Sequence, residues 1–181
     1  MYQQINKRTI LKKPLFLIGF MGAGKSTVGS ILAKKLKASF IDTDTLIELS
    51  TNKSPSQIIA SEGELIFRRY EYLWLINACL SQRTVISCGG GLPASNHIMN
   101  ILKYIGTVVF LYITPNQALD RLKNDNSRIL LKSEDIRKRI LFLLNKRNNI
   151  YNLADICIKS KNLPHLTAQE VCKELLIFNK N

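Results

Sequence analysis

Leu17-Ile-Gly-Phe-Met-Gly-Ala-Gly-Lys-Ser-Thr27 sets one lysine and two hydroxyls directly behind a glycine-rich turn. Read from Gly19 to Ser26 it has the spacing G-x-x-x-x-G-K-[ST], and the apolar run Leu15-Phe-Leu-Ile18 precedes it. A buried strand is expected to end at Gly19 and a helix to begin near Gly24. Glycine lets the backbone bend where a Cβ would not, so N–H groups around Gly22, Ala23 and Gly24 can converge on phosphate oxygens. The helix adds its unpaired N-terminal donors and the positive end of its dipole. Lys25 is then expected to reach the β and γ phosphates of a nucleoside triphosphate, with Ser26 offering an oxygen to Mg2+. Thr27 supports the turn or the α-phosphate end.

Outward from this stretch, strand and helix patterns alternate. Lys25 to Lys37 reads as a helix with Val28, Ile31, Leu32 and Leu36 on its apolar face. Phe40-Ile41 is a short strand cut off by Asp42-Thr-Asp44, giving the order strand, phosphate loop, helix, strand. Thr45 to Ser50 forms a short helix, Asn52 to Pro55 breaks it, and a longer helical region interrupted at Gly63 carries Ile58, Ile59, Phe67, Leu75 and Ile76. Region 45–80 is therefore expected to rise over the acceptor side of a pocket.

Val85-Ile86 centres another strand, stopped by Gly89-Gly-Gly91. A helix follows Pro93 to about Tyr104, and Thr107 to Tyr112 is the clearest strand, rich in β-branched and aromatic residues. Thr114-Pro115 caps and starts a helix running to about Leu122. The polar stretch 123–132 is the expected mobile lid. Ile136 to Lys146 is helical, Ile156 to Ile158 is the fifth strand, and Thr167 to Leu176 is the last helix. The pattern implies an α/β sheet with its ligand loops along one edge.

The length of 181 residues fits a single domain, 1–181, with residues 1–13 as a flexible N-terminal extension. No charge-free apolar run reaches the roughly eighteen residues of a membrane span, and the opening segment lacks the apolar centre of a cleaved leader, so a cytoplasmic protein is expected. The 26 basic and 13 acidic residues give a net charge of +13, spread along the chain. That excess favours anionic metabolites as much as nucleic acid, and no recognition helix or aromatic-basic ladder supports a nucleic-acid partner. Cys79, Cys88, Cys157 and Cys172 lack paired metal-ligand spacing and are expected to be buried thiols. His97 and His165 are isolated in sequence and expected at surface positions.

Asp42 and Asp44 flank one residue just beyond a strand. At such a rim one carboxylate can organise Mg2+ through water while the other deprotonates an acceptor hydroxyl. Arg68 and Arg69 from the helical region and Arg147 at the end of a later helix suit a small acceptor bearing a carboxylate, which a planar guanidinium grips as a fork. Arg128 in the lid is placed to cover the transferring phosphate. Arg121 is expected against the nucleotide base.

Together these residues resemble the shikimate kinase family. The likeness is carried by Ile18-Gly-Phe-Met-Gly-Ala-Gly-Lys-Ser-Thr-Val-Gly29, Phe40-Ile-Asp-Thr-Asp44 with Ile47-Glu48, and Gly63-Glu64 before Phe67-Arg68. It continues in Gly89-Gly-Gly91, Arg121 with Arg128, and Lys146-Arg147 before Tyr151 and Ala154-Asp155. The resemblance implies a three-layer P-loop fold of the nucleoside-monophosphate-kinase-like group, with a five-stranded parallel sheet in the order 2-3-1-4-5. It implies transfer of the ATP γ-phosphate to the 3-hydroxyl of shikimate, on the route to chorismate and the aromatic amino acids, by a monomer using Mg2+.

By the same resemblance Asp44 is the shikimate-contacting base and Asp42, with Ser26, helps place Mg2+. Arg68 and Arg147 bind the carboxylate, Gly89, Gly90 and Gly91 face shikimate through their backbone, and Phe67 supplies an apolar wall. Lys25 and Arg128 stabilise the transferred group, and Arg121 lies beside adenine. Two prolines common in the family are missing, with Ile129 after Arg128 and no proline in Arg147-Asn-Asn-Ile-Tyr151. A related small-metabolite kinase such as a gluconate kinase, and a nonenzymatic ATP-responsive protein, are the competing readings. The first gives less reason for two acceptor-side arginines, and the second for a second substrate pocket.

Overall fold

The computed structural model of the protein describes residues 11–79, 83–92, 96–123 and 135–179. The first ten residues of the expected extension and nearly all of the expected lid, Arg128 included, lie outside the described residues.

Among the described residues five strands form one parallel sheet: β1 (Leu15–Ile18), β2 (Ser39–Asp42), β3 (Thr84–Ser87), β4 (Thr107–Tyr112) and β5 (Ile156–Lys159). Their order is β2-β3-β1-β4-β5, as the resemblance implied. Every residue of β1 and β3 is buried, which demands cover on both faces of the sheet. Of the flanking helices, α1 (Lys25–Leu36) packs on α8 (Pro164–Phe178) and on β3, while α5 (Asn96–Ile105) lies against β4.

The register decides where function can sit. Ser87 pairs with Asp42 on one side and with Leu17 on the other, so β1, β2 and β3 end nearly level. All three lead into the same edge: the phosphate loop from Gly19 after β1, a helix that begins at Thr43 directly after β2, and Cys88 to Gly91 after β3. β1 sits where successive connections leave in opposite directions, the point at which open α/β sheets leave a crevice.

Three helices fill the connection from β2 to β3: α2 (Thr43–Thr51), α3 (Pro55–Glu62) and α4 (Glu64–Cys79). Gly63, at φ 91, separates α3 from α4, and a reciprocal cap between Ser54 and Gln57 opens α3. Ile47, Ile58 and Phe67 form a small core of their own, with Ile59, Tyr70 and Trp74 packed against it. The region thus has its own packing, separate from the large cluster around the sheet. The remaining helices are α6 (Pro115–Leu122) and α7 (Ile136–Tyr151), which pack together.

Several expectations need correction. α2 begins at Thr43 rather than Thr45, because the Asp42 side chain accepts from the N–H groups of Asp44 and Thr45 and caps the helix. Asp44 is therefore in the first turn of a helix, not on an irregular rim. α7 runs on to Tyr151, so Arg147 is buried inside the helix instead of ending it. Asn148 and Asn149, just past the expected end, continue the helix, with Asn148 half-buried and Asn149 exposed. Cys157 is exposed although Cys88 is buried, because residues of β5 alternate in burial as expected of a sheet edge. No helix among the described residues is long and apolar enough to cross a membrane.

Candidate active site

The phosphate loop is built around positive-φ glycines. Gly22 and Gly24 adopt φ 80 and 81, and Gly24 occupies the cap position of α1 with no side-chain hydrogen bond. The first N–H groups of α1 are left to an anion. Lys25 Nζ donates to the carbonyls of Gly19 at 3.0 Å and Phe20 at 3.3 Å, folding its charge over the loop. The loop is braced from behind. Ser160 Oγ donates to the carbonyl of Ala23 at 2.9 Å, while Arg121 donates to the carbonyl of Gly22 at 2.9 Å and to Ser160 Oγ at 3.0 Å.

A cleft of about 250 Å³ opens beside this loop and brings together residues far apart in sequence. Gly22, Gly24, Lys25, Ser26 and Thr27 line one side, with Asp42 and Asp44 next to them. Phe67, Arg68, Gly90, Gly91 and Arg147 line the other. Ala23 is fully buried behind the loop, and Gly89, Arg121 and Arg69 are not part of the lining. Arg69 is exposed beside half-buried Arg68, since neighbours on a helix point about 100° apart.

Ser26 Oγ donates to Asp42 Oδ2 at 2.6 Å, while Oδ1 of the same carboxylate serves as the cap of α2. A hydroxyl and a carboxylate oxygen side by side at the mouth of a phosphate loop are hard donors of the kind Mg2+ takes from a protein when nucleotide and water supply the rest. The residues fit that ion.

The acceptor half is organised by α4. Arg68 Nη1 donates to Glu71 Oε2 at 2.5 Å and Nη2 to Glu64 Oε1 at 2.7 Å. Glu71 is fully buried, and its Oε1 has no hydrogen-bond partner among the described residues. Burial pushes its carboxyl up to about 7 against the pull of Arg68, and the charge on Asp44 adds to the rise. A Cβ on Gly89 would overlap Glu71 Oε1 and stand 2.6 Å from Asp44 Oδ1, so the two carboxyls converge on the glycine loop.

That loop is held from three directions. Thr43 Oγ1 donates to the carbonyl of Ser87 at 3.3 Å and accepts from the Gly89 N–H at 2.8 Å. The Gly90 carbonyl accepts from Arg147 Nη1 at 3.0 Å and from the Tyr151 hydroxyl at 2.5 Å. Burial raises the Tyr151 hydroxyl above its ordinary range, so it stays a donor there.

Sequence reasoning did not single out Thr43, Glu64, Glu71 or Ser160 for the site. Glu71 and Glu64 carried a signal, because they stand three residues after and four before Arg68 and so share its helix face. Thr43 and Ser160 had none, since their partners are 39 to 137 residues away.

The family model for shikimate kinase matches residues 21–178. The chain is 43% identical over 164 residues to the shikimate kinase of Sulfurihydrogenibium sp. (strain YO3AOP1), covering 91% of this chain and 96% of that one. It superimposes with a TM-score of 0.82 on the shikimate kinase from Acinetobacter baumannii solved in complex with shikimate, at 32% identity over 91% of this chain and 90% of that one. A gluconokinase from Sinorhizobium meliloti shares the fold at a TM-score of 0.62, with 14% identity. A P-loop with its lysine, Arg68 and Arg147 on the lining of the same cleft, and this degree of likeness along nearly the whole chain lead to one conclusion: the chain belongs to the shikimate kinase family.

Proposed function

We propose that the chain transfers the γ-phosphate of ATP to the 3-hydroxyl of shikimate, forming shikimate 3-phosphate and ADP on the route to chorismate, with the two halves of the cleft as donor and acceptor sites. The observation that carries this reading is that Lys25, Asp44, Arg68 and Arg147 line one cavity. The glycines of the phosphate loop and Thr27 receive the nucleotide phosphates, and Lys25 exchanges its loop carbonyls for the β and γ oxygens. Ser26 and Asp42 would hold Mg2+, which would supply positive charge against the nucleotide phosphates. Arg121 contributes to the nucleotide side by steadying the loop next to adenine.

Arg68, through Nη2, and Arg147 bind the shikimate carboxylate, while Phe67 forms the apolar wall against the ring. Backbone groups of Gly89, Gly90 and Gly91 meet the acceptor at distances a side chain would forbid. Asp44 accepts the hydrogen bond of the reacting hydroxyl and takes its proton as the oxygen attacks phosphorus. No covalent enzyme intermediate is required, because in-line alignment and fixed positive charge supply most of the acceleration. Arg128, carried on segment 123–132, stabilises the transferring group, a role that rests on the family resemblance. Region 45–80 forms the acceptor side within one kinase domain. In this reading one domain encloses both ligands, so the enzyme works as a monomer, and it works in the cytoplasm.

Incubating the purified protein with Mg-ATP and shikimate, and measuring ADP and the phosphorylated product together, tests the reading. Formation of both in equal amounts supports it. Turnover of gluconate with none of shikimate overturns it.

A further inference from the structure

Both terminal nitrogens of Arg68 are engaged, because an acid holds each of them. The two acids differ in kind. Glu71 is fully buried and cannot leave without stranding a carboxyl in the protein interior. Glu64 lies at the rim with 54% of its side chain exposed, one helical turn before Arg68. An exposed pair at this spacing is weak, since water solvates either partner on release.

We propose that Glu64 is a built-in stand-in for the acceptor's carboxylate, occupying Arg68 Nη2 and giving up that contact when the acceptor binds. The inference rests on Arg68 being the carboxylate-binding residue proposed above. Gly91 leaves the guanidinium no room to retreat, since a Cβ there would already overlap it. Nη1 is fixed by buried Glu71, so the incoming carboxylate competes for Nη2 with Glu64. Arg68 and Arg147 both pull the Glu64 carboxyl below its ordinary range, with Arg68 dominant, so at neutral pH the competitor is charged. The consequence is selectivity: an acceptor with a carboxylate replaces the lost ion pair with one of its own, and a neutral acceptor leaves the Glu64–Arg68 pair in place.

Calorimetric titration of wild type, Glu64→Gln and Glu64→Ala with shikimate, with its neutral methyl ester and with a non-hydrolysable ATP analogue tests this. Both variants should bind shikimate about two- to fivefold more tightly, with the ester and nucleotide within error of wild type. The gain should shrink at high salt, because the lost pair is exposed. Unchanged or weaker shikimate binding, or an equal gain for the ester, overturns the inference. Arg68→Lys in the same series separates it from its premise. If that change weakens shikimate binding while the Glu64 variants are silent, the stand-in fails and the carboxylate site survives. If Arg68→Lys also leaves shikimate binding untouched, the carboxylate site itself is wrong.

Discussion

The guanidinium of Arg68 lies where a Cβ on Gly91 would stand. Gly91 is not one of the positive-φ glycines, so alanine is excluded there by a neighbouring side chain and not by backbone strain. Gly91→Ala should therefore push Arg68 off its mark while the loop keeps its path. The expected result is a rise of roughly tenfold or more in the KM for shikimate, with the KM for ATP within about twofold of wild type. Steady-state kinetics with each substrate varied in turn checks the split.

Lys25→Ala removes a charge that the structure folds onto the carbonyls of Gly19 and Phe20. Turnover should fall by on the order of a hundred- to a thousandfold, the scale of losing one fixed donor at a developing charge. The thermal unfolding midpoint should change little, because Lys25 lines the cleft and not the core. Near-normal phosphoryl transfer by this variant would remove Lys25 from the chemistry.

Tyr151→Phe leaves the ring packed at 5.1 Å from Phe110 but takes one of two donors from the Gly90 carbonyl. The loss of such a buried bond costs about 1 kcal/mol. Part of it should appear as a lower melting temperature and part as a few-fold rise in the KM for shikimate, since Arg147 alone then holds the Gly90 carbonyl. Equal rises for shikimate and ATP would disconnect Tyr151 from the acceptor side.

Glu71 makes stability depend on pH. Its carboxyl, pushed from the ordinary 4.5 up to about 7, keeps its proton in the folded protein where the unfolded chain has released it. The folded state then binds more protons, so this group's contribution is full below about 4.5 and is lost as pH rises through about 7. Glu71→Gln, which cannot ionise, should gain on wild type between pH 5 and pH 8 by on the order of 1–3 kcal/mol. Denaturant unfolding at the two pH values measures it, and a parallel pH response in both proteins would place the raised titration elsewhere.

Chain order and element type were readable because their signals are local. The helix from Pro115 to Leu122 was announced by Thr114-Pro115, and the capping box found there uses Thr114 and Gln117 alone. Boundaries failed where a side chain had two uses. Asp42 was read as a site carboxylate, and the same residue also starts α2, which carried Asp44 from a rim into a helix. Arg147 was read as the end of its helix, yet α7 continues to Tyr151, which is buried one turn on.

What the sequence alone determined is the donor half of the cleft. Strand, bend and helix start fall within Leu15 to Lys25, and such a loop needs only local glycine freedom and the helix end that follows. The acceptor half was decided by tertiary structure. Glu64, Arg68 and Glu71 on α4, Gly89 to Gly91 after β3, and Arg147 and Tyr151 on α7 meet because the parallel crossovers bring them to one edge of the sheet. Which of two glutamates beside an arginine is buried, and which stays wet enough to be displaced, follows from what packs around each, and no spacing in the chain encodes that.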